Sequence, residues 1–359
     1  MVGTGRRNLQ PALVFASRSR ESPGVNPTRL TPAARFGGIA ALLIATLQAQ
    51  AAPPASAFAS VLTRQGYTYV KMERRSNHSV VPVKLNGRAI DLIVDTGASR
   101  TVIHPEVVQG LNLVLRESGD AAYGALDRVK RKQQREGEVR DFGVGGFQAG
   151  PTRIHVLNIG ERTSSRDSTD GLLGIDFLHR FNAIIDCLHS GLYLKSGPAT
   201  FGGLAQGLKS GGYTEIPLRP TNAGIAVAAT LGTRRGYFIV DTGSPTTLLD
   251  TKAVEGLKYP RSVAHGGVSL VDIGGSSSEL MQVTVNDLRV GNFPIPTQAV
   301  GLADLELMRG GLKAPEGWQF FGLLGQELLA YYIGVIDCRE LKLYLRFDAG
   351  LDARRARGR

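Results

Sequence analysis

Residues 80–104 read VVPVKLNGRAIDLIVDTGASRTVIH, and residues 226–250 read AVAATLGTRRGYFIVDTGSPTTLLD. Laid over each other at a spacing of 146 they align without a gap. Val81/Val227, Leu85/Leu231, Arg88/Arg234, Thr101/Thr247 and the whole run 93–97/239–243 are identical. A self-match of this kind is an internal repeat, and the repeated unit is then the unit of folding. Each copy consists of alternating or continuous short apolar runs separated by Gly and Asn turns, the signature of strands.

The spacing of 146 holds outward to 141–147 over 287–293. The second copy then gains five residues, and a spacing of 151 takes over. It lays Gly171-Leu172-Leu173-Gly174 on Gly322-Leu323-Leu324-Gly325, Ile185-Asp186-Cys187 on Ile336-Asp337-Cys338, and Leu192-Tyr193-Leu194 on Leu343-Tyr344-Leu345. The chain therefore divides into a leader (1–57), a first lobe (66–196), a Gly-rich linker (197–212), a second lobe (213–346) and a basic tail (347–359). With 45 glycines in 359 residues, turns dominate and an all-β chain is expected. One short helix per lobe is expected after each Leu-Leu-Gly, at 175–181 and 326–332.

The chemistry lies where each apolar strand ends. In Ile93-Val94-Asp95-Thr96-Gly97-Ala98 an acid follows a buried β-branched pair. An ionised carboxylate there is costly unless hydrogen bonds meet it, and a Thr hydroxyl and the amides of a Gly turn provide them. One such loop is ordinary turn chemistry. Two, on lobes that pack about a pseudo-twofold axis, bring Asp95 and Asp241 together. Neighbouring carboxylates do not both ionise easily, so the pair shares one proton and presents an acid and a base in one place. That pair suits activation of water against a peptide carbonyl. Position 98 is Ala and its counterpart is Ser244. A Ser hydroxyl donating to Asp241 favours its charged form, which assigns the shared proton to Asp95.

These motifs resemble those of the aspartic proteases of the pepsin–retropepsin group, and most of all the bacterial retropepsin-like proteins. The resemblance rests on Asp95-Thr96-Gly97-Ala98 and Asp241-Thr242-Gly243-Ser244, each followed by a hydrophobic stretch and then by Leu-Leu-Gly, and it spans about 69–345. It implies a bilobal acid-protease fold: two retropepsin-like β-barrel lobes related by a pseudo-twofold axis, with the active site between them. It implies Asp95 and Asp241 as catalytic acids, Thr96 and Thr242 as cross-bonds between the loops, and Gly97 and Gly243 as points of close approach. Gly174 and Gly325 would pass beneath those loops. Asp176 matches a supporting acid of the family, whereas the second lobe carries the longer Glu327. A flap is implied in each lobe, between the aspartate loop and Asp141 or Asp287, with a hairpin turn at Asp272-Ile273-Gly274-Gly275. In the first lobe the basic stretch 126–140 stands there, and Tyr123 is the candidate substrate contact. The implied activity is that of an aspartic endopeptidase acting on polypeptides without metal or cofactor, as a monomer or homodimer. The alternative is a silent peptide-binding scaffold of the same fold. Intact Asp-Thr-Gly in both copies favours the enzyme.

The formal charge is +11, with +5 in residues 1–57, +3 in 126–140 and +2 in the tail. No aromatic platform or helix-turn-helix pattern accompanies these runs, so they read as a targeting segment, a solvated loop and a tail, and not as a nucleic-acid surface. Arg29 and Arg35 precede an apolar run at 37–47, and small-residue sites follow at Ala49-Gln50-Ala51 and Ala55-Ser56-Ala57. This pattern reads as a signal peptide, hence export to the periplasm or outside with no stable membrane span after cleavage. An uncleaved anchor or an organelle transit peptide are the alternatives. The two cysteines, Cys187 and Cys338, make no metal cluster; they bridge across the axis or serve as small core residues.

Overall fold

The computed structural model describes residues 13–17, 58–75, 78–118, 123–124, 127–128, 135–158, 169–198, 203–263, 268–272, 277–312 and 317–348. Two large sheets repeat one strand order. In the first lobe it runs Phe147–Gln148, Phe142–Val144, His78–Leu85, Arg88–Val94, Gly171–Leu173, Val102–Ile103, Thr152–Val156, Arg135–Val139, Arg116–Glu117. In the second it runs Phe293–Pro294, Leu288–Val290, Ile225–Leu231, Arg234–Val240, Gln319–Leu324, Leu248–Asp250, Gln298–Ala303, Met281–Val285, Arg261–Val263. The molecule is a bilobal, mostly β acid-protease fold.

Alternation decides which side of each sheet is wet. Val81, Val83 and Leu85 are buried in the first lobe, and Val227, Ala229 and Leu231 occupy the equivalent places in the second. Each large side chain buried this way stabilises the fold by about 1.5–3 kcal/mol. The repeated arginines have one job. Arg88 donates to the carbonyls of Val107 and Gln109, and Arg234 to those of Ala253 and Glu255, the same positions one repeat later.

The second lobe's sheet continues, through the pairing of Thr214–Pro220 with Ile225–Leu231, into a layer that joins the lobes. Its order is Thr68–Lys71, Gly191–Leu194, Ile184–Asp186, Val335–Asp337, Lys342–Leu345, Thr214–Pro220. The central pair is antiparallel, with Ile184 opposite Asp337, Ile185 opposite Ile336 and Asp186 opposite Val335. Since Ile185 and Ile336 are repeat equivalents, the pseudo-twofold axis passes between them. Helix Ala59–Arg64 covers one face of this sheet with Phe58 and Leu62, and helix Leu204–Ser210 covers it with Leu204 and Leu208.

That second helix lies inside the expected linker, and it corrects the reading of 197–212. Phe58/Leu204, Leu62/Leu208, Gly66/Gly212 and Tyr67/Tyr213 all fall on the 146 spacing, so each unit begins with a short helix. Glycines at 197, 202, 203, 207, 211 and 212 masked its two-leucine face. The helices after Leu-Leu-Gly occupy Ile175–Arg180 and Gln326–Tyr331.

Cys187 and Cys338 are free and buried. Cys187 donates its amide to the Gly334 carbonyl and Cys338 to that of Ala183, which sets them four register positions apart, roughly 13 Å along a strand. A disulfide needs Cα atoms within about 7 Å, so the bridge across the axis is excluded and the core-residue alternative stands. Among the described residues no helix is long and apolar enough to cross a membrane, and no group of three or more His, Cys, Asp or Glu is placed to hold a metal.

Candidate active site

The strands Arg88–Val94 and Arg234–Val240 end at the lobe interface, and the chain turns there through Asp-Thr-Gly. Asp95 Oδ1 accepts the amides of Gly97 at 2.8 Å and Ala98 at 3.0 Å. Asp241 Oδ1 accepts those of Gly243 and Ser244, both at 2.9 Å. The Leu-Leu-Gly strand supports each turn from beneath: the amides of Asp95 and Asp241 donate to the carbonyls of Leu173 and Leu324, each at 3.0 Å.

The threonines tie the two turns together. Thr96 Oγ1 donates to the Val240 carbonyl at 2.6 Å and accepts the Thr242 amide at 3.1 Å. Thr242 Oγ1 donates to the Val94 carbonyl at 2.7 Å and accepts the Thr96 amide at 3.1 Å. All four bonds cross between the lobes and are buried. Gly97 faces Asp241 so closely that a Cβ on it would stand 2.6 Å from the Asp241 Cγ; one on Gly243 would stand 2.5 Å from the Asp95 Cγ. Gly174 and Gly325 pass equally close to the loops, where a Cβ would meet the carbonyl carbons of Arg100 at 2.4 Å and Thr246 at 2.3 Å. Asp95, Asp241, Thr96, Gly97, Thr242, Gly243, Gly174 and Gly325 thus form one buried constellation.

Ser244 does not act as expected. Its hydroxyl donates to the Thr246 carbonyl at 2.8 Å, inside its own turn. The ground for placing the proton on Asp95 is therefore lost. Burial raises both carboxyls above the ordinary range, and Asp95's negative charge adds to burial at Asp241. Asp241 is also the more enclosed, at 4 % exposed against 9 %. It is the carboxyl held well above the ordinary range.

Thr101 and Thr247 belong to the site although their sequence reading assigned them only to hydrophobic stretches. Thr101 Oγ1 accepts the Gly174 amide at 3.2 Å and donates to Asp176 Oδ1 at 2.8 Å. Thr247 Oγ1 accepts the Gly325 amide at 2.9 Å, and its own amide donates to Glu327 Oε1 at 2.5 Å. Their identity in the two copies was the available signal. Glu327 reaches the second loop despite its extra length, at the amide where Asp176 meets the hydroxyl.

A hairpin lies between the aspartate loop and Asp141 in one lobe and Asp287 in the other. In the second lobe Val268–Asp272 pairs with Ser277–Glu279, and most of the expected turn, 273–275, lies outside the described residues. In the first lobe Tyr123–Gly124 pairs with Asp127–Arg128, which places Tyr123 on a hairpin strand. This hairpin lies against helix Glu306–Gly311 of the second lobe. Residues 129–134 of the basic stretch lie outside the described residues.

The family model described as aspartyl protease matches residues 81–177 and 227–328, two segments that start at equivalent points of the repeat and together cover more than half of the chain. The chain belongs to the aspartyl protease family. As such it is a hydrolase, an aspartic-type endopeptidase whose substrate is polypeptide. Among solved structures it is similar to the aspartic proteinase from Irpex lacteus, at 18% identity and TM-score 0.40, covering 79% of this chain and 98% of that one. It is also similar to a retropepsin-like aspartic protease from Rickettsia conorii, at 22% identity and TM-score 0.26, covering 37% of this chain and 94% of that one. No curated protein matches the sequence.

Proposed function

We propose that Asp95 and Asp241 are the catalytic pair, and that they cleave peptide bonds by general acid–base attack of water. The carrying observation is the mirrored placement of the two carboxyls, each against the opposite glycine with its Oδ1 held by two amides of its own turn. Asp95, the ionised partner, takes a proton from water as the water oxygen bonds to the peptide carbonyl carbon. Asp241 gives its proton to the carbonyl oxygen. The tetrahedral diol then collapses. The C–N bond breaks, the nitrogen takes the proton from Asp95, and a diol hydroxyl returns its proton to Asp241. The pair ends as it began, with one shared proton, and its two titrations belong to the pair.

The test is a degenerate peptide library cut across acid to neutral pH by the chain from Phe58 onward, with cleavages read by mass spectrometry. Asp95→Asn removes the charge and Asp241→Asn the transferable proton, each with the shape kept, and each should lose about 10³-fold or more in kcat. A variant that cuts as well as the parent overturns the two-aspartate reading. A folded, silent parent favours the peptide-binding scaffold.

Export is proposed on the leader pattern. Cleavage before Phe58 leaves Phe58 and Leu62 in place to cover the joining sheet. Sequencing the mature N-terminus from a membrane-free extract checks it, and a start at Met1 refutes it.

A further inference from the structure

Beneath each aspartate loop, the second residue of a short helix is an acid that grips a threonine of the loop, and the two lobes grip differently. Asp176 Oδ1 accepts the Thr101 hydroxyl and the Phe177 amide, each at 2.8 Å. Glu327 has one more methylene. Its Oε1 reaches the Thr247 amide at 2.5 Å, and its Oε2 is sealed from solvent with no hydrogen-bond partner among the described residues. A carboxylate oxygen sealed in that position carries its charge away from bulk solvent, and the neutral acid is the cheaper form.

We infer that Glu327 is a positioning residue that works as an uncharged carboxyl, holding Thr247 and with it the loop of Asp241 while protonated, and letting that loop go when it ionises. The connection is short. Thr247 Oγ1 holds the Gly325 amide, and the Leu324 carbonyl next to it holds the Asp241 amide. On ionisation Oε2 must reach water, and the movement draws Oε1 away from Thr247. Burial, the largest influence on Glu327, keeps its titration above the ordinary carboxylate range. The Thr247 amide and hydroxyl and the amides of Glu327 and Leu328 act against burial, and no charged side chain is among the groups that shift it. On the loop it supports, the titratable group is Asp241.

The inference rests on the two-aspartate reading, and the experiment separates their failures. Glu327→Gln keeps the Oε1 acceptor and cannot ionise. Within each protein the ratio of kcat at neutral pH to kcat at its optimum is measured, beside thermal unfolding of the full chain over the same pH range. A carboxyl raised in the fold contributes stability below the ordinary carboxylate range and loses it as pH rises through its raised value. The melting difference between Glu327→Gln and the parent should therefore grow with pH, and the rate ratio should rise about tenfold. A parent that cuts while the Gln variant leaves the ratio unmoved overturns this inference alone, as does a flat melting difference. A folded parent that cuts nothing overturns the two-aspartate reading, and the melting difference then decides this inference alone.

Discussion

One line of side chains crosses each lobe on a single face, because directly opposed residues in neighbouring strands point the same way. In the first lobe it runs Val80, Ile93, Leu172, Val102, His155, Glu136, Arg116. In the second it runs Ala226, Ile239, Leu323, Leu248, Gly301, Gln282, Ser262. The four positions nearest the aspartates are apolar in both. The outer three hold an imidazole and an Arg116–Glu136 ion pair of 2.8 Å in one lobe, and a glycine, an amide and a hydroxyl in the other. The difference separates two kinds of constraint. Near the axis the threonines' hydrogen-bond partners belong to the other lobe, so a change on one side needs a matching change across. At the rim each lobe meets only its own strands, and the copies have diverged.

If the axis is a true pseudo-twofold, equivalent substitutions there should have equal effects. The largest is steric. Gly97→Ala and Gly243→Ala each drive a Cβ to within 2.6 Å of the opposing Cγ, and each should cost about 100-fold or more in kcat while the chain stays folded. A variant with parental kcat breaks the mirrored geometry. Next in size is the threonine crossing. Thr96→Val leaves the Val240 carbonyl and the Thr242 amide unmet, and Thr242→Val leaves the Val94 carbonyl and the Thr96 amide unmet. Each should destabilise by about 3 kcal/mol in urea unfolding. A difference above about 1 kcal/mol between them shows that the lobes share the interface unequally.

Away from the aspartate loops, Asp186 and Asp337 sharpen the comparison. Both end strands of the joining sheet, as their place in the repeat suggests. Asp186 binds the His189 Nδ1 at 2.9 Å, and Glu340 occupies the place of His189 in the second lobe. His189 is raised by its hydrogen bond to Asp186. Asp337 is raised to about 6, first by burial and in smaller part by Glu340. Both signs agree: stability is present below the unfolded value and lost as pH rises through the folded one. For Asp337 that window runs from about 4 to about 6, and the ceiling is ~3 kcal/mol. Asp337→Asn should match the parent at pH ~4 and exceed it in urea midpoint at pH ~7; an equal gain at both values refutes the titration. The smallest effect concerns the cysteines. Burial raises both thiols, so both should resist alkylation in the native protein and react on unfolding, and reductant should leave Tm unchanged. A reductant-sensitive Tm contradicts the described register.

The duplicated core of this arrangement is legible in the sequence because Asp-Thr-Gly and Leu-Leu-Gly recur at fixed spacing, and spacing survives where the partners are reciprocal. The joining sheet is not legible. Pairing Ile184–Asp186 with Val335–Asp337 depends on how two lobes dock, and nothing in either strand names its partner. Ser244 misled for a local reason: its hydroxyl took the Thr246 carbonyl of its own turn. The linker helix was hidden by composition, since two leucines among many glycines give a weak helical pattern even though the 146 spacing runs through them.

The four crossed threonine bonds also bear on reaction order. A site assembled from two separate chains thins out on dilution, as subunits part faster than they meet. Here the facing loops are tethered through one polypeptide, and the effective concentration of one lobe at the other is set by the intervening chain and not by the solution. Specific activity should then hold constant however far the protein is diluted.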